Sequence, residues 1–262
     1  MRTAVSLPPF TDPATLVAMA VDAEQAGWDG VFLWDHVVLF PEMNLDVHNP
    51  WVVLGAMAQA TERVLLGTLV TPLARRRPQS VAREIITLDH LSGGRAVLGV
   101  GLGDPAEHEF AAFGDPAGDR DRAAILDESL TVIDGLLRGP LKHDGEHFHV
   151  DSELRPRPVQ QPRPPIWVAG VIPNRRPLER ALRWDGIVPI SLTEQLPPEG
   201  IAPYLEGVER PEGWDVVVNR SPGYAPEDYE GIATWVVEGA WPVDDWVSDL
   251  RDRIKAGPGT RA

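Results

Sequence analysis

Two adjacent residues at the end of an early apolar run carry the side chains best suited to proton chemistry. The run reads Gly-Val-Phe-Leu from residue 30 and ends in Trp34-Asp35-His36. A histidine can hold or release a proton near neutral pH, and a neighbouring carboxylate can set its tautomer. The alternative is structural, with Asp35 capping a loop and His36 packed beneath it. His36 and Asp35 are therefore candidate catalytic residues.

Two further apolar runs end in small residues. Residues 65–72 include Thr68 and Thr71, whose hydroxyls suit either a flat ligand or a tight turn. Residues 97–104 place Gly101 and Gly103 directly before Asp104, where a backbone without side chains can approach a ligand closely. The spacing differs from the dinucleotide-binding fingerprint, which has one more residue before its last glycine. We expect both turns to border a ligand, with Asp104 as a third catalytic candidate.

A later loop has the features of a phosphate cradle. Residues 169–178 lead from an apolar run into a predicted helix and contain Arg175 and Arg176. Free N–H groups at a helix start and guanidinium groups both bind phosphate. The alternative places both arginines on a solvated helix end. The cluster Arg75-Arg76-Arg77 has the same two interpretations.

Three histidines, at positions 143, 147 and 149, raise the question of a metal site. Histidine and glutamate are suitable zinc ligands. However, the segment lies outside the strand ends, in a proline-rich excursion over residues 140–165, so a surface hairpin is expected and no metal ligand is assigned. Trp51 is expected near a ligand.

The chain alternates short apolar runs with segments of helical period, which predicts an α/β fold. Eight such units predict a single (β/α)₈ TIM barrel over residues 1–262, with shortened loops in the C-terminal half. The predicted strands are 3–7, 30–34, 64–70, 96–101, 166–169, 186–190, 215–219 and 233–237, and the predicted helices are 13–26, 50–60, 80–91, 122–137, 178–183 and 243–255. In such a barrel the C-terminal ends of the strands form the active site.

Composition excludes several classes of protein. The absence of cysteine excludes disulfides, thiolate nucleophiles and cysteine-ligated metals, and suits the cytoplasm. A formal net charge of −15 disfavours nucleic acid and anionic membranes as partners. No apolar run approaches a membrane span. A small-molecule substrate is the expected partner.

The ordered set of motifs resembles the luciferase-like monooxygenase superfamily, whose members bind FMN or the deazaflavin coenzyme F420. The resemblance rests on residues 27–36 (Gly-Trp-Asp-Gly-Val-Phe-Leu-Trp-Asp-His), 66–73 (Leu-Gly-Thr-Leu-Val-Thr-Pro-Leu), 87–95, 98–103 and 165–170. It implies a flavin across the barrel mouth, with His36 beside the reactive ring and Asp104 near the substrate. It also implies a cis peptide bond between Leu69 and Val70 behind the ring. The segment from Gly170 through Asn174 to Arg176 would hold the phosphate end.

The resemblance further implies hydride transfer to or from a small organic substrate, or its oxygenation. The Asp-His pair favours F420 over FMN. Relatives are often dimers, so a homodimer is expected. Two other classes stay open: a metal-dependent barrel hydrolase, and a catalytically silent flavin-binding barrel. If the main interpretation holds, His36, Val70 and Asp104 must border one common cavity.

Overall fold

The computed structural model describes residues 1–243 and 245–259. Its main element is a closed barrel of eight parallel strands. These strands are β1 (Arg2–Leu7), β2 (Gly30–Leu33), β3 (Leu65–Pro72), β4 (Ala96–Gly101), β7 (Ile166–Val171), β8 (Gly186–Ile190), β9 (Asp215–Asn219) and β10 (Trp235–Gly239). Around the barrel they pair in the order β1-β10-β9-β8-β7-β4-β3-β2. The predicted TIM barrel is confirmed, and each of its strands overlaps a predicted one.

Helices follow most of the strands. They are α1 (Pro13–Ala26), α2 (Pro50–Ala60), α3 (Pro78–Ser92), α4 (Ala106–Glu109), α5 (Asp119–Arg138), α6 (Arg175–Ala181), α7 (Pro198–Leu205) and α8 (Trp246–Ala256). The start of α1 is fixed locally, because the Asp12 carboxylate accepts a hydrogen bond from the Thr15 N–H at 3.0 Å. Gly27 ends the helix in the left-handed conformation, with φ of 89°. The short helices α4 and α7 were not predicted.

The excursion between α5 and β7 contains the expected hairpin. Strands β5 (Leu141–Asp144) and β6 (His149–Ser152) pair in antiparallel fashion. Glu128 of α5 holds the turn, because its carboxylate accepts hydrogen bonds from the backbone N–H groups of His147 at 2.9 Å and Phe148 at 2.7 Å. The hairpin is thereby attached to the outside of the barrel.

An aromatic cluster fills the lower part of the barrel interior. Phe32, Trp167 and Trp235 are almost fully buried. Their rings meet edge to face, with centroids 5.3 Å apart for Phe32 and Trp167 and 5.5 Å for Trp167 and Trp235. Such contacts are favourable beyond the area that they bury. Because Trp167 and Trp235 lie near the starts of their strands, this packing leaves the C-terminal half of the barrel for a cavity.

In the described part of the chain, no helix combines the length and the hydropathy that a membrane crossing requires.

Candidate active site

A cavity of about 870 Å³ opens at the C-terminal ends of the barrel strands. His36, Val70 and Asp104 all border it, although they follow or end three different strands. The three residues therefore border one common cavity, as the interpretation of the sequence requires. Other predicted site residues on its wall are Asp35, Leu69, Gly101, Gly103 and Asn174.

Asp35 is anchored by cations and not by His36. Its side chain is buried, and Arg75 and Arg76 approach its carboxylate oxygens at 2.9 and 3.0 Å. The Thr71 hydroxyl donates a third contact at 2.9 Å. This arrangement corrects the idea that Asp35 sets the tautomer of His36. It also shows that Arg75 and Arg76 are ion-paired within the wall and do not form an anion cradle.

The acidic partner of His36 is Glu109, at the end of α4. Nδ1 of His36 lies 3.4 Å from the Glu109 carboxylate, and Arg75 lies 3.0 Å from its other oxygen. The backbone N–H groups of Val37, Val38 and Leu39 donate to the same carboxylate, at distances down to 2.7 Å. Glu109 thus holds the loop that carries His36 and places a negative charge beside Nδ1 of the imidazole.

The same contacts keep Glu109 ionised. Burial alone would raise the pKa of this carboxyl, but the contact with His36 and the hydrogen bonds from the Leu39 and Val38 N–H groups outweigh it. The net effect lowers the pKa of Glu109 to about 2. Sequence reasoning missed Glu109, since an acid in a short helix some seventy residues from the histidine gives no local signal.

Strand β3 contributes an apolar wall backed by hydroxyl groups. The peptide bond between Leu69 and Val70 is cis, as the family resemblance implies. The structure corrects the expectation for Thr68 and Thr71, which are fully buried and do not border the cavity. The Thr68 hydroxyl donates to the Gly99 carbonyl at 3.0 Å. These hydroxyls therefore hold the wall from behind.

Two glycines let strand β4 approach this wall. A Cβ atom on Gly101 would lie 2.8 Å from Cγ2 of Val70, so only glycine fits there. Gly103 has φ of 83°, and a Cβ atom on it would lie 2.7 Å from Pro72 and 2.8 Å from the Phe110 ring. These glycines set the position of Asp104 at the cavity edge.

Arg122 of α5 secures the turn before Asp104, a role that the sequence did not indicate. Its guanidinium donates to the Gly103 carbonyl and pairs with Asp119 at 2.5 Å. It also stacks over the Phe110 ring, 4.9 Å from the centroid. The positive charge of Arg122 is therefore already paired with the Asp119 carboxylate.

Of the four residues predicted to hold the phosphate end, Asn174 borders the cavity and Gly170, Arg175 and Arg176 do not. Arg175 and Arg176 are exposed and lie off the wall, and Arg175 donates to the Tyr204 carbonyl at 2.8 Å. Gly170 lies beneath α6, where a Cβ atom would approach Pro177 to 3.1 Å. From α6 itself, Arg180 borders the cavity, and it pairs with Asp127 at 2.8 Å. Binding of the phosphate end by these two arginines therefore stays a prediction that the cavity lining does not support.

Aromatic side chains form one flank of the cavity. Trp51 is buried in the first turn of α2 and does not border the cavity, contrary to expectation. Trp34, Phe40 and Trp241 border it instead. The Trp34 ring lies 6.0 Å from the His36 ring and 5.7 Å from that of Trp241. The aromatic flank is thus continuous with the candidate catalytic histidine.

The hairpin histidines do not converge on one point. His143 contacts Glu128 at 3.1 Å, and His149 contacts Asp144 at 2.6 Å. Within residues 1–243 and 245–259, no group of three or more His, Cys, Asp or Glu side chains has the geometry of a metal site.

Comparison with known proteins identifies the family. The profile of the luciferase-like monooxygenase family matches residues 1–199. The chain belongs to this family. The matched residues contain all the sequence motifs that carry the resemblance, and they include the strands from β1 to β8.

Relatives within and around the luciferase-like family bind two related cofactors. A Beutenbergia cavernae protein named F420-dependent glucose-6-phosphate dehydrogenase is 40% identical over 151 residues, covering 56% of this chain and 44% of that protein. The structure of an F420-dependent secondary alcohol dehydrogenase in complex with an F420-acetone adduct aligns with a TM-score of 0.74 and 19% identity, over 100% of this chain and 86% of that one. The FMN complex of the oxygenating constituent of 3,6-diketocamphane monooxygenase from Pseudomonas putida aligns with a TM-score of 0.68 and 20% identity, over 86% of this chain and 68% of that one.

This luciferase-like chain spans about half the length of the curated relatives it matches. The two structural neighbours are less than 25% identical to it, so they establish the shared fold.

Proposed function

We propose that this protein is an oxidoreductase that uses coenzyme F420 to transfer hydride to or from a small organic substrate. The observation that carries the proposal is the shared cavity of His36, Val70 and Asp104 at the C-terminal mouth of the barrel. The name of the Beutenbergia cavernae relative, an F420-dependent dehydrogenase, supports the choice of cofactor. FMN is the alternative cofactor, which the diketocamphane monooxygenase complex supports.

The cavity fits a flat ring system. Its volume of about 870 Å³ lies within the range of cofactor sites. Leu69 and Val70 supply an apolar surface. Gly101 lets strand β4 lie close to this surface, since a side chain at position 101 would collide with Val70. Gly103 and Asn174 border the same space and would contact the polar parts of the cofactor. When bound, the deazaflavin supplies a hydride acceptor or donor.

His36 is the proposed proton acceptor for a substrate hydroxyl. Its imidazole borders the cavity while Nδ1 lies 3.4 Å from the Glu109 carboxylate, so Nε2 is the atom proposed for proton transfer. Asp104 is proposed to orient the substrate or to assist proton transfer from the neighbouring strand end. Asp35 acts through Arg75, which touches both Asp35 and Glu109, and is therefore a positioning residue.

Titration of the purified protein with F420 and with FMN, read by quenching of cofactor fluorescence, tests this proposal. Saturable binding of F420 with weaker or absent binding of FMN is the expected result. The His36→Asn variant should bind F420 with unchanged affinity and lose at least about 100-fold in hydride transfer, as removal of a general base does. Binding of neither cofactor would overturn the proposal, and full activity of His36→Asn would overturn the role of His36.

We also propose that the protein is a cytoplasmic homodimer. Exposed apolar side chains on the adjacent helices α2 and α3 support a subunit interface, with Val52 73% and Leu91 42% exposed. Light scattering after gel filtration should give twice the chain mass, and the Val52→Asp variant should shift the mass toward that of one chain. A wild-type mass of one chain at micromolar concentration would contradict the dimer.

A further inference from the structure

Apolar side chains are concentrated where the cavity opens to solvent. Leu192, Trp241 and Val243 all border the cavity, yet they are 60%, 52% and 50% exposed. They account for a third of the large apolar side chains that the described surface exposes. Exposed apolar groups gathered at the rim of a cavity mark a surface that a ligand covers.

The aromatic flank continues this apolar rim into the cavity. Trp241 lies 5.7 Å from Trp34 and 6.4 Å from Phe40, measured between ring centroids. Trp34 is held in place, because its indole N–H donates to the Ser6 hydroxyl at 2.8 Å. Trp34 is therefore a preorganised part of this wall, and a ring that is already fixed binds apolar groups without a large loss of conformational entropy.

The charges on the cavity wall do not suit an anionic substrate. Among the described lining residues there are four arginines, and each pairs with a carboxylate: Arg122 with Asp119, Arg180 with Asp127, and both Arg220 and Arg253 with Glu238. The wall also carries the carboxylates of Asp104, Glu194 and Asp249. A substrate anion would have to displace one of these ion pairs, whereas the phosphate end of the proposed cofactor is expected beside Asn174.

We infer that the substrate is an uncharged molecule with an aromatic or bulky apolar group, which packs against Trp34, Phe40 and Trp241. This inference rests on the proposed function for the identity of the reaction, and it names the substrate class of that site. The Trp34 ring lies 6.0 Å from the His36 ring, so a group seated on this wall is adjacent to the proton acceptor. A sugar phosphate, the substrate named for the Beutenbergia cavernae relative, lacks the apolar group.

Isothermal titration calorimetry with 1-phenylethanol and with glucose 6-phosphate tests the inference on wild-type protein, both without cofactor and with bound F420. We expect saturable binding of 1-phenylethanol and at least about 10-fold weaker binding of glucose 6-phosphate. Trp241→Ala should weaken 1-phenylethanol binding about 10-fold, as loss of a ring contact and its buried area does, and Trp241→Phe should largely restore it.

Phe113→Ala is the matched control, because Phe113 is an equally exposed aromatic residue, at 55%, that does not border the cavity. It should bind 1-phenylethanol as the wild type does. Tighter binding of glucose 6-phosphate than of 1-phenylethanol, or equal effects of Trp241→Ala and Phe113→Ala, would overturn the inference. If 1-phenylethanol binds as expected while neither F420 nor FMN binds, the proposed function fails and the apolar site stands.

Discussion

At the scale of single residues, the candidate site depends on a buried carboxylate that touches no solvent. Glu109 accepts three backbone hydrogen bonds from the loop after β2 and contacts both His36 and Arg75. Charge-assisted bonds of this kind are about twice as strong as neutral ones. The loop that carries His36 is thus held by a carboxylate that lies far from it in the sequence.

This carboxylate should make stability depend on acid pH. Since the folded-state pKa of Glu109 is about 2, below its ordinary 4.5, its stabilisation is complete above pH 4.5 and is lost as the pH falls toward 2. The difference between these two pKa values corresponds to about 3 kcal/mol in the free energy of unfolding. Urea denaturation of the wild type and of Glu109→Gln between pH 2 and 7 measures it.

The Glu109→Gln variant should be about 2–4 kcal/mol less stable than the wild type at pH 7, because an uncharged amide cannot satisfy all of these donors. The difference in the free energy of unfolding between the two proteins should disappear as the pH approaches 2. A gap that stays constant over the whole range would show that Glu109 is not ionised in the folded protein.

At the scale of secondary-structure elements, the turn after β4 is the connection whose geometry the site needs most. Gly103 and Gly114 have nearly equal φ angles, 83° and 82°, but a Cβ atom would collide with Pro72 and Phe110 only at Gly103. The Gly114→Ala variant should lose about 1 kcal/mol of stability from the backbone conformation alone.

The Gly103→Ala variant should lose at least about 2 kcal/mol, because overpacking adds to the same backbone cost. It should also weaken cofactor binding, since the turn carries Asp104. Thermal unfolding and the cofactor titration measure the two effects. Equal losses of stability in the two variants would contradict the close packing of this turn.

The β5–β6 hairpin should behave as an independent element. Its turn is attached to the barrel through Glu128, which binds the N–H groups of His147 and Phe148 and the His143 side chain. In Glu128→Ala we expect amide hydrogen exchange to accelerate over residues 141–152 and to stay unchanged in the barrel strands. Faster exchange throughout β4 and β7 would show that the hairpin supports the barrel itself.

The sequence predicted the elements of this fold better than the contacts between them. The strands of the barrel are short apolar runs between polar turns, so their positions could be found locally. Helix α7 was missed because Pro203 lies within it, Pro198 is its first residue and Pro197 precedes it. The pairing of Glu109 with His36 depends on how two loops meet after the barrel closes, and no local pattern records that.

At the scale of the whole molecule, barrel closure is what brings the candidate residues together. His36, Val70 and Asp104 come from consecutive neighbours β2, β3 and β4, whose C-terminal ends share one rim. A one-residue change of register would turn Val70 or its neighbours away from the cavity. The order of the strands therefore explains why separate weak motifs form one site.

The high negative charge should make the stability of the whole barrel depend on salt. With a formal net charge of −15, the compact state repels itself, and salt screens this repulsion because the Debye length is about 10 Å at 0.1 M. Raising NaCl from 20 to 300 mM at pH 7 should raise Tm by about 2–4 °C, equivalent to about 1 kcal/mol. The buried ion pairs around Asp35 and Glu109 are screened much less, so they oppose this rise only weakly.

A variant with three exposed glutamates neutralised, Glu206→Gln, Glu209→Gln and Glu212→Gln, serves as the control. These side chains lie around the loop before β9, away from the cavity wall, and their neutralisation removes three negative charges without changing the barrel. The variant should have a higher Tm than the wild type at 20 mM NaCl and a smaller rise toward 300 mM. A wild-type Tm that falls with added NaCl would mean that favourable surface ion pairs outweigh the net repulsion.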